Sequence, residues 1–135
     1  MALINWSADF SVGIGSIDEE HKKLAGYVNE LNDAMAQRKG KDVLEKILGG
    51  LVDYTKTHFA REEQLFKAHG YPESMSHKAK HDELTKKVMA FQKDLHDGKA
   101  VMSVEIMAFL KDWLLNHIKV TDMKYGPFLK GKGVS

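Results

Sequence analysis

Seven side chains of this sequence carry metal-ligating groups and fall at helical spacings: His21, His58 with Glu62, His77 with His81, and His117 with Asp122. The five histidines, of seven in the chain, lie on stripes otherwise filled by apolar residues. A histidine in such a stripe points at a core, and buried polar groups need partners. Taken singly, each piece is ordinary. A lone core-facing histidine is commonly a hydrogen-bonded structural residue, and an i,i+4 His/Glu or His/His pair is often a surface interaction. Their weight is joint, because imidazoles and carboxylates aimed at one interior satisfy each other best around metal. Seven ligands exceed the needs of one tetrahedral zinc, whereas two metals bridged by the two carboxylates use them all. Three histidines on one metal and two on the other leave the pair unequal. With one bridging oxygen, the first metal is six-coordinate and the second five-coordinate, with a position free for a small ligand. Imidazole and carboxylate suit iron and also accept zinc, copper or manganese.

Four helices must bring these groups to one level. The first fifteen residues lack helical period; Phe10, Val12 and Ile14 alternate with Ser11 and Gly13, which predicts an extended arm. Trp6 and Phe10 should lie against the bundle. The first helix is expected from Ser16, where Ser16-x-x-Glu19 reads as a capping box. Its stripe is Ile17, His21, Leu24, Val28, Leu31 and Met35, and Gly40 stops it. The second starts near Asp42, with Asp42-x-x-Glu45 as a second capping box. Its stripe is Leu44, Ile47, Leu51, Tyr54, His58, Glu62 and Leu65, ended by Gly70-Tyr71-Pro72. Gly49-Gly50 inside it costs about 1 kcal/mol per glycine, and a close helix approach would explain the pair. The third helix begins around residues 73–76 and presents His77, His81, Leu84, Val88, Phe91 and Leu95 before Gly98. The fourth begins near Ser103, presents Ile106, Leu110, Trp113, His117 and Val120, and closes at Gly126-Pro127.

Short links make sequential helices antiparallel, which predicts an all-α fold: an up-down-up-down antiparallel four-helix bundle. The expected organisation is a single domain over 1–135, with an arm (1–15), a bundle (16–125) and a loose tail (126–135). In that topology a site at one end must lie early in helices one and three and late in two and four. All seven residues satisfy this, within a few turns of one end at about 1.5 Å per residue. His117 and Asp122 are the awkward pair. Their i,i+5 spacing is about 140° on a regular helix, so either the last turn is loosened or bulged or Asp122 reaches around from the flank. His69 and His96 sit at helix C-termini, where a cationic ring suits the dipole, and read as non-ligands. Glu63 falls off the His58 face.

Composition narrows the field. The 135 residues suit one domain with a real core. With 20 basic and 19 acidic residues the formal charge is +1, which gives no electrostatic case for nucleic acid. There is no cysteine, so disulfides, thiolate nucleophiles and cysteine-ligated clusters are excluded. No apolar span predicts membrane insertion and no signal-peptide pattern is present, so a cytoplasmic protein is expected.

The combined pattern His21, His58-Phe-Ala-Arg-Glu62, His77-Lys-Ala-Lys-His81 and His117-Ile-Lys-Val-Thr-Asp122 resembles the hemerythrin family, in particular its bacterial single-domain members. The arm Trp6…Phe10-Ser-Val-Gly-Ile14 is similar to the family's N-terminal segment. The resemblance covers nearly the whole chain and implies two iron ions with an oxo or hydroxo bridge, binding oxygen reversibly. It implies that His77, His81 and His117 hold the filled iron, His21 and His58 the iron that takes oxygen, and that Glu62 and Asp122 bridge. It places Trp113 and Leu114 beside the oxygen pocket. The expected ligand is dioxygen and the expected role transport, storage or supply to an oxygen-consuming protein, by a monomer that is not an enzyme. The competing readings are a di-iron oxidase or peroxide- or nitric-oxide-handling enzyme, an oxygen- or iron-sensing module, and a storage or purely structural metal site. Against the first, the Glu-x-x-His tetrapeptide common in ferritin-like oxidases does not occur; the nearest match is Asp18-x-x-His21. Against the sensor, such modules carry an attached output segment.

Overall fold

Amphipathic stripes of this length bury themselves most simply against one another, and the computed structural model, which describes residues 3–98 and 104–135, has that form. Its helices are α1 (Gly15–Ala36), α2 (Lys41–His69), α3 (Ser74–His96) and α4 (Val104–Asn116). A six-residue π-helix, His117–Asp122, continues α4 directly into α5 (Met123–Gly131). α2 packs on α1 and α3, and α4 on α1. Phe91 and Phe109 meet edge to face across α3 and α4. Together, α1, α2, α3 and the α4–π–α5 run form a four-helix bundle. No described helix is long and apolar enough to cross a membrane.

The arm follows the chain's alternation only in part, since a 3-10 turn at Ala8–Phe10 interrupts it. Three fasteners hold it. Asn29 both accepts from Ile4 N–H and donates to Ile4 O. Asp18 accepts from Ser11 Oγ and Val12 N. Gly126 lets the Val12 carbonyl approach so closely that a Cβ would lie 2.2 Å from its oxygen.

Several helix ends differ from expectation. α1 begins one residue early with Ile14 as N-cap and no side-chain cap; Ser16 instead donates to the Ser135 carbonyl. Asp18, the would-be interior of that capping box, is taken by the arm. α2 is capped by the Gly40 backbone, not by Asp42. Gly40 does not stop α1 either: Arg38 takes the left-handed turn, and Lys39 N–H closes onto Ala34 O. Gly70 behaves as expected, left-handed at φ 69°. The expected start at Ser103 lies outside the described residues.

Gly126-Pro127 does not end the fourth helix. α5 runs through it because Tyr125 and Leu129, both fully buried, hold the last turns in place, and tertiary packing overrides propensity. The residues after Phe128 are likewise tied down, by Leu129 burial and by the Ser16–Ser135 hydrogen bond. The buried face of α2 is rotated from the expected stripe: Leu48, Val52, Thr55, Phe59 and Phe66 are buried, while Leu44, Ile47, Tyr54 and Leu65 are only partly covered. Gly50 does mark a close approach, with Tyr27 of α1 3.0 Å from the position of its missing Cβ. Val120 points outward, 57% exposed.

Apolar packing forms two clusters. The main one fills the bundle from Leu24, Leu51 and Leu84 to Leu110 and Leu114. A smaller one, Val12, Ile14, Ile17, Phe66, Tyr71, Tyr125 and Leu129, closes one end. The histidine layer lies between them.

Candidate metal centre

All seven expected side chains meet in that layer, each nine-tenths or more out of solvent. The π-helix solves the His117/Asp122 problem. One extra residue in the turn brings His117, Thr121 and Asp122 all inward and leaves Val120 outside. His117 Nε2 then stands 2.9 Å from Asp122 Oδ1. Of the two routes the spacing left open, the bulge is the one present in the backbone.

Every histidine offers Nε2. His77 Nε2 is 3.0 Å from Asp122 Oδ1, and His21 Nε2 3.0 Å from Asp122 Oδ2. His58 and His81 Nε2 lie 3.3 and 3.2 Å from Glu62 Oε1, and His21 Nε2 3.8 Å from Glu62 Oε2. His81 and His117 bring their Nε2 atoms within 3.2 Å of each other. Two sets result: Glu62, His77, His81, His117 and Asp122, and His21, His58 and Glu62, each with ligand atoms within 4.8 Å of one another. Glu62 belongs to both, and the two oxygens of Asp122 face His117 and His21 respectively.

This donor set fits metal. His21 Nε2, His58 Nε2, His77 Nε2, Glu62 Oε1 and both Asp122 oxygens are buried without hydrogen-bond alignment, despite their short separations. Imidazole nitrogens and carboxylate oxygens that converge this closely without hydrogen-bond geometry are a donor set that a cation would satisfy. Donors about 2.1 Å from a common ion at right angles stand about 3 Å apart, which is the spacing found here. The chemistry is nitrogen and oxygen only, with two shared carboxylates.

The electrostatics agree. Burial pushes Glu62 up, but His58, His21 and His81 outweigh it and hold the carboxyl well below its ordinary range. Burial and Glu62 push Asp122 up, and His117 and His21 pull it down further than that. Burial lowers His21 and His58, yet the same carboxylates leave both raised. His117 stays lowered, because burial dominates.

Some functional residues were not visible in the sequence. Tyr125 donates its hydroxyl to Glu62 Oε2, and burial raises its own pKa well above the ordinary value. Glu20 meets His58 Nδ1 at 2.6 Å, and Glu63 meets His81 Nδ1 at 3.0 Å. Such outer partners fix which nitrogen faces the metal. Phe59 stacks on His81 at 3.7 Å and Trp113 on His117 at 4.5 Å. The i−1 and i+1 positions of ligands carry no periodic signal for Glu20 and Glu63. Tyr125 lies beyond the expected helix stop.

His69 and His96 stay apart, His96 pairing with Glu45 on the surface. Trp113 and Leu114 line a narrow cavity of about 20 Å³ together with Leu24, Thr55, Phe59 and Leu110. That volume admits about one water-sized molecule. Its walls lie one or two turns from His21, His58, His81 and His117, so the cavity is the next layer of the bundle. It is almost entirely apolar, Thr55 being the one hydroxyl-bearing member.

Comparison with known proteins points to one family. The family model described as the hemerythrin HHE cation binding domain matches residues 12–129. A bacteriohemerythrin of Methylococcus capsulatus is 38% identical over 130 residues, covering 96% of this chain and 98% of the relative. A hemerythrin-like protein of Naegleria gruberi is 39% identical over 121 residues, 90% of this chain and 89% of the relative. The crystal structure of a wild-type hemerythrin superposes with a TM-score of 0.90 at 37% identity, covering 95% of this chain and 98% of that one. With its ligand pattern, its bundle and these relatives in agreement, the chain belongs to the hemerythrin family.

Proposed function

We propose that the chain binds dioxygen reversibly at a non-haem di-iron centre and serves to carry, store or supply oxygen rather than to catalyse a reaction. The observation that carries this reading is the unequal division of histidines around two shared carboxylates. His77, His81 and His117 crowd one half, while His21 and His58 alone face the other. We assign the first three to a coordinatively filled iron, His21 and His58 to an iron with an open position, and Glu62 and Asp122 to the bridges. When bound, the iron pair supplies the electrons that make oxygen binding reversible.

The chain's own residues do the rest. Tyr125 anchors one oxygen of Glu62, so the carboxylate cannot swing away from its bridging orientation. Phe59, Phe66 and Trp113 wall the imidazoles, restricting ring rotation. Leu114 and Trp113 face the small apolar cavity, which excludes water and the protons and anions it would carry. The names of the relatives in Methylococcus and Naegleria support the assignment.

The test is the visible spectrum of the reduced, iron-loaded protein before and after air. A charge-transfer band that appears with oxygen and disappears when oxygen is removed supports the reading. A band that decays with turnover of oxygen or peroxide favours a di-iron enzyme, and no band at all favours a structural or storage site.

A further inference from the structure

Two ligand histidines have carboxylates on their outer nitrogens, and the two are not equivalent. Glu20 Oε1 meets His58 Nδ1 at 2.6 Å, and Glu63 Oε2 meets His81 Nδ1 at 3.0 Å. Behind Glu20 stands a cation: the Arg61 guanidinium donates to Glu20 Oε2. Among the described residues no lysine or arginine reaches ion-pair distance of Glu63; Lys78 is paired with Asp82 and acts on Glu63 only at longer range. The Arg61 side chain is 43% exposed, Glu20 18% and His58 1%. Three groups therefore lead in order from solvent to one half of the centre, the half with two histidines. Among the described residues, the other half has a carboxylate, Glu63, but no cation at ion-pair distance behind it.

We propose that Arg61, Glu20 and His58 form a charge lever by which a surface residue sets the donor strength of one ligand, a role that rests on the di-iron reading above. A carboxylate accepting the Nδ1–H of an imidazole increases electron density on the ring and strengthens Nε2 as a ligand. A guanidinium on the same carboxylate draws charge away and weakens that effect. Glu20 is thus the positioning residue that fixes the tautomer of His58, and Arg61 attenuates it. The lever acts on the half that the proposed function assigns to oxygen, and leaves the three-histidine half to Glu63 alone.

The test uses Glu20→Gln, which keeps an acceptor oxygen but removes charge, Arg61→Gln, the conservative Arg61→Lys, and the Glu20→Gln/Arg61→Gln double variant. In the iron-loaded protein, the reduction potential should rise in Glu20→Gln, fall in Arg61→Gln and stay near wild type in Arg61→Lys, with iron content unchanged. In the double variant the Arg61 effect should vanish, because its only route to the iron is through the carboxylate. An Arg61 shift that persists in the double variant marks a through-space field and overturns the lever, as do shifts of the same sign in both single variants. The proton resonance of His58 Nδ1–H in the metal-free protein is the second readout. It should move downfield in Arg61→Gln and upfield in Glu20→Gln. Absence of an Nδ1–H bound to Glu20 in the wild type overturns the lever whatever the metal content. Failure of the wild type to take up two irons overturns the di-iron reading instead. Glu20→Ala, which deletes the partner altogether, should weaken metal affinity about 10- to 100-fold.

Discussion

Which nitrogen a histidine turns inward depends on what its other nitrogen meets outside. For His58 and His81 the outer group is a carboxylate, so Nε2 is left for the interior. The clustering of the five histidines was legible from spacing, because a polar residue repeated in an apolar stripe stands out. Their outer partners were not, because Glu20 and Glu63 sit on the polar flank, where a carboxylate is unremarkable. Two expected outcomes belong at this scale. His77→Ala should lower iron content below two per chain by metal analysis, while His69→Ala should leave it unchanged, since His69 lies at the end of α2 apart from the site. Leu114→Ala should leave iron content unchanged but shorten the life of the air-induced band. Leu114 lines the apolar cavity one turn before His117, and removing three carbons opens it to water. If Leu114 only packs the core, the substitution costs about 2–5 kcal/mol and the decay rate of the folded fraction does not move. Measuring both separates the two.

Among the elements, the one that most directly makes the site is the π-helix, and the difficulty it resolves was readable. His117 and Asp122 do not share a face of a regular helix at five residues' separation, which left a bulge or an Asp reaching from the flank, and the backbone takes the bulge. The continuation past it was not readable, since Gly126-Pro127 has the composition of a stop. The structure gives Gly126 a different reason, the Val12 carbonyl of the arm. The capping box at Ser16 gives way to tertiary contacts as well: Ser16 donates to the Ser135 carbonyl, and Asp18 beside it is engaged by the arm through Ser11 and Val12. Local cap patterns are chosen among by tertiary contacts that sequence spacing does not display. Gly126→Ala should therefore push the arm from α5, at about 1–3 kcal/mol. Thermal melting should show the loss, and amide exchange should quicken at Val12 and Ile14. A variant as stable and as protected as the parent would mean that the arm moves aside freely.

Across the whole molecule, the seven clustered side chains would link folding to metal on the proposed reading. The bundle and its antiparallel order followed from four stripes and short links, and so did the level at which the site lies. The rotation of α2's buried face did not, because Leu44, Ile47 and Tyr54 make as good a stripe as Leu48, Val52 and Thr55. Without metal, orphaned imidazole and carboxylate atoms remain in the layer between the two apolar clusters, at about 1–3 kcal/mol for each unsatisfied group. Metal-free protein should exchange amides faster than loaded protein around residues 58–62 and 117–122. The pH dependence should separate the two forms further. His21 and His58 are raised above 6.5 in the fold, so their contribution to metal-free stability is complete below the unfolded value of about 6.5 and is lost as pH rises through the folded values. Glu62 and Asp122 are depressed, so theirs is present above the unfolded value of about 4 and fails only in stronger acid. His117 is lowered; its contribution grows up to about pH 6.5 and is flat beyond. Above about pH 6.5 these two histidines should therefore withdraw stability from the metal-free protein as pH rises. The loaded protein should show no such loss, because imidazole ligates only when neutral: it gains stability until the unfolded histidines lose their protons at about pH 6.5 and levels off above that. Groups far from the site titrate alike in both forms and cancel in the difference. Melting temperatures of anaerobic metal-free and iron-loaded protein, taken from about pH 6 to about pH 8, should diverge. Parallel curves would mean that His21 and His58 do not exchange protons for metal.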